Sequence, residues 1–258
     1  MRVLNLIFVL MLLSGCGDPY SGGTLRIGHG GSGMNSDHPM NSEEALVNGL
    51  ASGLHGIELD VQLTADSVLV AYHPDVLEEL TACTGKVNAM TWAEIQNCPN
   101  VNEADNASAI VRLDQLLPIL AENYPHADFT LDCKLFAQGE WWPYLRTYAR
   151  ALRRLNTKLP NKLIVECQVE DFLRLLQLEA PTLPLYLYGS DAEVSIRRAA
   201  TSHFAGITLS ANRLGRDDVT MAHELGLKVS AFNVSGYWSR WQALHAGVDR
   251  VQLDDISY

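Results

Sequence analysis

A chain of 258 residues fits one large α/β domain, and a hydrophobic share of 47% is too high for a disordered chain. The net charge of −11 excludes nucleic acid as a favoured partner, because such a surface repels a phosphate backbone. It also excludes long-range steering of anionic ligands by the whole molecule, so attraction for a phosphate has to be local, and a bound cation is its obvious source.

The chain opens with Met1-Arg2, and Val3 to Leu13 follows as an apolar run. The run is too short to cross a hydrocarbon layer of about 30 Å and reads as the core of a signal peptide over 1–15. Leu13-Ser14-Gly15-Cys16 follows directly. It resembles a bacterial lipobox, which implies lipidation of Cys16, a tether over 16–23, and an exported, membrane-anchored lipoprotein. Four further cysteines remain. Cys83 and Cys98 flank a short polar stretch and are expected to form a small disulfide loop, whereas Cys133 and Cys167 lie in apolar strand patterns and are expected to be buried thiols. No Cys-x-x-Cys or paired Cys/His spacing supports a zinc site.

From Thr24 onward short apolar runs alternate with helical patterns. Leu25 to Gly28 is a strand, and Asn41-Ser42-Glu43-Glu44 opens a helix. Ile57 to Leu63 alternates apolar and polar residues, and Val68 to Tyr72 is a further apolar strand. Later strands are expected over 129–134, 162–168, 183–188, 205–209, 228–233 and 250–253. Helices are expected between them near 141–156, 169–179, 191–201, 216–226 and 236–246. Strands regularly spaced by helices predict a parallel sheet, and about eight units in about 240 residues predict closure into a (β/α)8 TIM barrel over 24–258. An open doubly wound sheet would call for a Gly-rich nucleotide loop, which is absent. Residues from about 75 to 118 break the rhythm and read as an insertion on the catalytic face.

Four features fall at strand ends: His29 after the first strand, Glu58-Leu59-Asp60, His73 before Pro74, and Asp132-Cys133-Lys134. Strand geometry puts Glu58 and Asp60 on one face. Each feature alone has an ordinary explanation, such as a solvated strand edge, a turn or surface histidine, or an internal ion pair. Together they place three carboxylates near one barrel mouth, where they repel unless a hard cation such as Ca²⁺ or Mg²⁺ binds them. Two flanking histidines suit acid–base work near neutral pH, and Lys134 suits a phosphate contact. Glu166 and Gln168 are expected to point inward, and Phe232 and Trp238 are weighed as pocket walls against ordinary packing.

These residues resemble the glycerophosphodiester phosphodiesterase family, part of the phospholipase C-like TIM-barrel superfamily. The resemblance rests on His29-Gly30-Gly31, Met40-Asn41-Ser42, Glu58-Leu59-Asp60-Val61-Gln62-Leu63-Thr64-Ala65-Asp66 and Val68-Leu69-Val70-Ala71-Tyr72-His73. Thr91-Trp92-Ala93-Glu94-Ile95, Leu131-Asp132-Cys133-Lys134 and Ser230-Ala231-Phe232-Asn233 add weaker matches. The resemblance implies a cation on Glu58, Asp60 and Asp132, an acid–base pair of His29 and His73, and a glycerophosphodiester substrate. Three departures stand out: Gly30 and Met40 replace an arginine and a glutamate of the family pattern, and Asp132 replaces a glutamate. Two other functions fit the same residues, namely a lipoprotein that binds phosphorylated ligands without turnover, and a lyase of the same superfamily that stops at a cyclic phosphate.

Overall fold

Period-2 patterning decides the architecture. The outward residues Ile57, Leu59 and Val61 are fully buried, as are Phe129, Leu131 and Val165. Each such side chain contributes about 1.5–3 kcal/mol on leaving water, so these strands require a helical layer over their outer face. A computed structural model describes residues 23–101, 110–137 and 139–256 and shows how that layer is supplied. The expected signal peptide, Cys16 and all of the tether but Gly23 lie outside the described residues.

Eight parallel strands close into a barrel: β1 (Leu25–Gly28), β2 (Gly56–Leu63), β5 (Asp128–Cys133), β6 (Leu163–Cys167), β7 (Leu185–Tyr188), β8 (Gly206–Ser210), β9 (Lys228–Val234) and β10 (Arg250–Leu253). Closure is completed by β1 pairing with both β2 and β10. The crossovers between successive barrel strands carry α1 (Glu43–Ala51), α3 (Leu113–Asn123), α4 (Trp141–Lys158), α5 (Glu170–Glu179), α6 (Ala192–Thr201), α7 (Arg216–Glu224) and α8 (Tyr237–Ala246). The fold is therefore a (β/α)8 barrel, as the alternation predicts. Ser42 caps α1 by accepting from the Ala45 N–H, and Glu43 and Glu44 occupy its favourable first turn. No described helix is long and apolar enough to cross a membrane.

The expected strand at 68–72 is not a barrel strand. β3 (Leu69–Ala71) runs antiparallel to the end of β2, and β4 (Val111–Arg112) runs antiparallel to β3. The excursion from the barrel thus starts at Thr64 instead of about 75. It ends before α3, whose first turns occupy 113–118, because Leu113, Leu116 and Leu117 are buried in the main core. The short helix α2 (Trp92–Ile95) lies within it, and Val70, Tyr72, Leu77, Val87, Ile95 and Ile110 form a small core of its own. Cys83 and Cys98 are joined there, with Cα atoms 5.6 Å apart and a sequence separation of 15. Cys133 and Cys167 are free and buried. Replacing Cys83 and Cys98 together by serine is expected to lower stability by about 3 kcal/mol, from the chain entropy such a loop restricts. The shift of the urea midpoint measures it.

The barrel lumen is polar. Arg250 on β10 reaches Asp128 on β5 with two hydrogen bonds of 2.6 and 2.8 Å and also donates to the Thr130 hydroxyl. Above it, Glu166 on β6 accepts from the Thr208 hydroxyl of β8 at 2.7 Å and from the Gln252 amide of β10 at 2.9 Å. These strands are not neighbours, so the bonds run through the interior. Polar layers stacked inside and an apolar jacket outside account for the alternation visible in the sequence.

Candidate active site

At the strands' C-terminal ends a cavity of about 830 Å³ opens, lined among others by His29, Glu58, Asp60, His73, Asp132, Lys134, Glu166 and Phe232. β2 delivers Glu58 and Asp60 side by side, and β5 delivers Asp132 in register with Asp60. One ligand atom from each of the three acids lies within 4.8 Å of the others; Glu58 and Asp60 are buried, and the Asp132 side chain is 13% exposed. Among the described residues, no other cluster of three or more His, Cys, Asp or Glu has a comparable arrangement.

The partners of these acids are few. The Asn41 amide donates to Asp60 Oδ2 at 2.7 Å, and Asn41 Oδ1 accepts from the Asp60 backbone N–H at 2.8 Å. Lys134 Nζ lies 2.6 Å from Asp132 Oδ2 and 2.9 Å from Asp60 Oδ1. Among the described residues Glu58 accepts only the Gly30 backbone N–H, at 2.9 Å, with His29 Nε2 at 3.9 Å. Burial and the neighbouring Asp60 hold the Glu58 carboxyl well above the usual carboxylate range. Burial also raises Asp132, against the opposing pull of Lys134. Burial works against the Lys134 ammonium, but Asp132 and Asp60 outweigh it and keep it charged. One ammonium does not balance three carboxylates. An all-oxygen donor set with excess negative charge fits a hard divalent cation.

His29 is held by a residue the sequence reading missed. Its Nδ1 lies 2.5 Å from Asp254 Oδ1, just past the end of β10. Burial lowers the pKa of the ring, but the Asp254 hydrogen bond and the charge of Glu58 prevail and push it up to about 9. With Nδ1 engaged, Nε2 is the nitrogen turned toward Glu58. Asp254 lies 225 residues from His29 in sequence, and no local pattern links them. The only available signal was the polar end of an apolar final strand, Gln252-Leu253-Asp254. Asp254→Asn is expected to lower kcat about 10- to 100-fold, part of what a positioned acid–base group supplies. It should also move the pH profile, which a merely structural change would not; steady-state kinetics across pH tests both.

His73 comes from the loop after β3, not from a barrel strand. Gln62 Nε2 braces this loop by donating to the Tyr72 and Pro74 carbonyls, at 2.8 and 2.7 Å. His73 lines the same cavity, so the two histidines reach it from different elements. Phe232 does line the cavity, stacked on Tyr188 with ring centroids 4.9 Å apart; Tyr188 was also missed. Glu166 forms part of the floor, and burial together with Asp132 pushes it up to about 7.

Two expectations are corrected. Gln168 lies in a bend beyond β6 and is exposed, because the strand's alternation ends at Cys167. Trp238 is neither a cavity wall nor packed in the core; it stands on the outer side of α8 with 75% of its surface exposed. The paired departures from the family pattern do meet in space. Gly30 has φ +57°, and a Cβ there would come within 2.6 Å of the Met40 side chain. Position 30 therefore has no room for an arginine while Met40 keeps this placement.

The family model of the glycerophosphoryl diester phosphodiesterase family matches residues 32–257. The chain belongs to that family. A glycerophosphodiester phosphodiesterase of Bacillus altitudinis is 32% identical over 93 residues, 35% of this chain and 38% of that protein. One from Caldanaerobacter subterraneus is 40% identical over 73 residues, 28% of this chain and 29% of that protein. The aligned segments thus span under two-fifths of these curated relatives. The crystal structure of a glycerophosphodiester phosphodiesterase from Parabacteroides distasonis superposes with a TM-score of 0.77 at 20% identity, covering 90% of this chain and 93% of that one. An Oleispira antarctica phosphodiesterase in complex with the product sn-glycerol-3-phosphate gives 0.78 at 19% identity, covering 92% and 95%. At these identities the two structures establish a shared fold.

Proposed function

We propose that the protein hydrolyses glycerophosphodiesters to an alcohol and glycerol phosphate. In this reading Glu58, Asp60 and Asp132 hold Ca²⁺ or Mg²⁺, and His29 and His73 exchange the protons. The observation that carries it is the convergence of three under-compensated acids and two imidazoles on one cavity. Family membership, and the glycerol phosphate bound by the Oleispira antarctica relative, support the substrate class.

When bound, the cation supplies polarisation of a phosphoryl oxygen and neutralisation of developing charge. The rest falls to the chain. Lys134 offers a positive charge beside the acids for an anionic phosphate. Asp254 fixes the His29 ring so that Nε2 takes or gives the proton. In the scheme the family resemblance implies, one imidazole takes a proton from a glycerol hydroxyl as its oxygen attacks phosphorus. The other protonates the departing alcohol oxygen. The two roles reverse as water opens the cyclic phosphate. The Tyr188–Phe232 stack walls the cavity and limits the pose of the alcohol.

Export as a lipoprotein anchored through Cys16 belongs to the same proposal. Its support is the short apolar run, the small residues before Cys16, and a disulfide suited to an oxidising compartment. The test of function is incubation of the protein with glycerophosphocholine and glycerophosphoethanolamine under Ca²⁺, Mg²⁺ or chelator, following products by phosphorus NMR. Cation-dependent formation of glycerol phosphate is expected. Binding without products would instead identify a ligand-binding lipoprotein, and a persistent cyclic phosphate a lyase.

A further inference from the structure

The outer face of α8 carries a dense patch of exposed aromatic side chains. Along the outside of α8, Tyr237 is 71% exposed, Trp238 75% and Trp241 45%. They form a continuous ladder, with Tyr237 and Trp238 centroids 5.3 Å apart, Trp238 and Trp241 6.3 Å apart, and Trp241 stacked on His245 at 4.0 Å. Beside the ladder runs a groove of about 730 Å³, whose lining includes Arg216 and Arg240. Large aromatic surface left in water is costly, and at this density it marks a contact surface.

The composition of the patch and its position in the fold point to the occupant. Tryptophan and tyrosine with flanking arginine are the side chains of a membrane–water interface, where a ring sits among head groups and a guanidinium meets phosphate. The two ends of α8 lie at meaningful places. Its first turn follows β9, which carries Phe232 into the catalytic cavity. Its last turn leads into Val248 and Asp249, to which the start of the described chain is bound: Thr24 Oγ1 donates to the Val248 carbonyl at 3.0 Å, and the Leu25 N–H to the Asp249 carbonyl at 2.8 Å. The aromatic ladder thus runs from the mouth of the site toward the point where the N-terminal segment that carries Cys16 joins the barrel.

We infer that the outer face of α8, through Tyr237, Trp238 and Trp241, rests on the surface of the lipid layer to which the N-terminus is anchored. The barrel then lies on its side, with the mouth opening along the interface instead of away from it. This inference rests on the lipid-anchor reading for its geometry. It adds that substrate is taken at the membrane surface, where diesters are generated by deacylation of phospholipids. With a net charge of −11 the favoured surface is zwitterionic, since an acidic lipid layer would repel the molecule.

The test uses the full, processed chain with phosphatidylcholine vesicles whose acyl chains carry bromine near the head group. Flotation reports attachment, and quenching of tryptophan fluorescence reports which face meets the lipid. The wild type is expected to float and to lose about two-fifths of its emission, two tryptophans of five. Trp238→Ser/Trp241→Ser is expected to float equally, to lose that quenching, and to keep its turnover of soluble glycerophosphocholine. A chain that floats without quenching, or whose quenching survives the double substitution, overturns the docking face and leaves the anchor standing. A Cys16→Ala chain that floats as well as the wild type overturns the anchor reading instead, and continued quenching by that chain supports the face on its own. Burial of the same tryptophans in the absence of vesicles, rising with protein concentration, assigns the face to a second copy and overturns the inference.

Discussion

Replacing either His29 or His73 by alanine is expected to lower kcat by about 10²–10⁴-fold, the range for a positioned acid or base. The two substitutions should differ in their side effects. His29 is largely buried, bound to Asp254 and close to Glu58. Its removal leaves two carboxylates with less positive charge nearby, so His29→Ala should also change stability and cation affinity. His73 is exposed on a loop and makes no such pair among the described residues, so His73→Ala should leave the urea midpoint nearly unmoved. Losing both imidazoles should cost little more than losing one, because the two act in a single proton cycle. A double substitution whose effect equals the product of the single effects would refute the paired role.

The second large effect concerns the acids. Glu58→Gln is expected to reduce turnover at fixed cation concentration by more than about 100-fold, since even residues that only support metal ligands are worth 10–100-fold. It should also stabilise the cation-free protein. The folded state binds the Glu58 proton more tightly than the unfolded chain, because burial and Asp60 raise that pKa. Stability contributed by this proton is present at low pH and falls as pH rises from the range where the unfolded carboxyl ionises up to the higher range where the folded one does. Glutamine removes that loss while still accepting the Gly30 N–H. Without cation the variant should therefore be the more stable protein at pH 7. Cation at 100 times its Kd should stabilise the wild type by about 2.7 kcal/mol and the variant much less. Thermal unfolding with and without Ca²⁺ or Mg²⁺ decides it. A variant that gains as much as the wild type would remove Glu58 from the ion site.

Residues that alternate along one strand were legible in sequence because each strand has an outward face against helices and an inward face in a polar lumen. Glu58 and Asp60 on β2 and Asp132 on β5 are visible in this way, as are the barrel class and most of its elements. Four things were not legible. Asp254 meets His29 only because β10 returns beside β1, a closure that depends on the whole chain. The 68–72 segment has the composition of a barrel strand, and only its antiparallel pairing with β2 removes it from the barrel. At Gln168 the alternation was extended one residue beyond a strand that had already bent away. Exposure of Trp238 was hidden for another reason: a tryptophan on a barrel helix reads as core unless the surface it would pack against is known.

The small core beneath the excursion carries a consequence for regulation and decay. His73 belongs to that excursion, while His29 and the three acids belong to the barrel wall. The two histidines of the proposed proton cycle thus sit on units with separate cores, and the excursion, with the fewer buried side chains, is expected to open first. Reduction of the Cys83–Cys98 bond, or a protease nick nearby, would extinguish turnover in a molecule whose barrel is still folded. Such a molecule would pass as native by circular dichroism and be dead by assay.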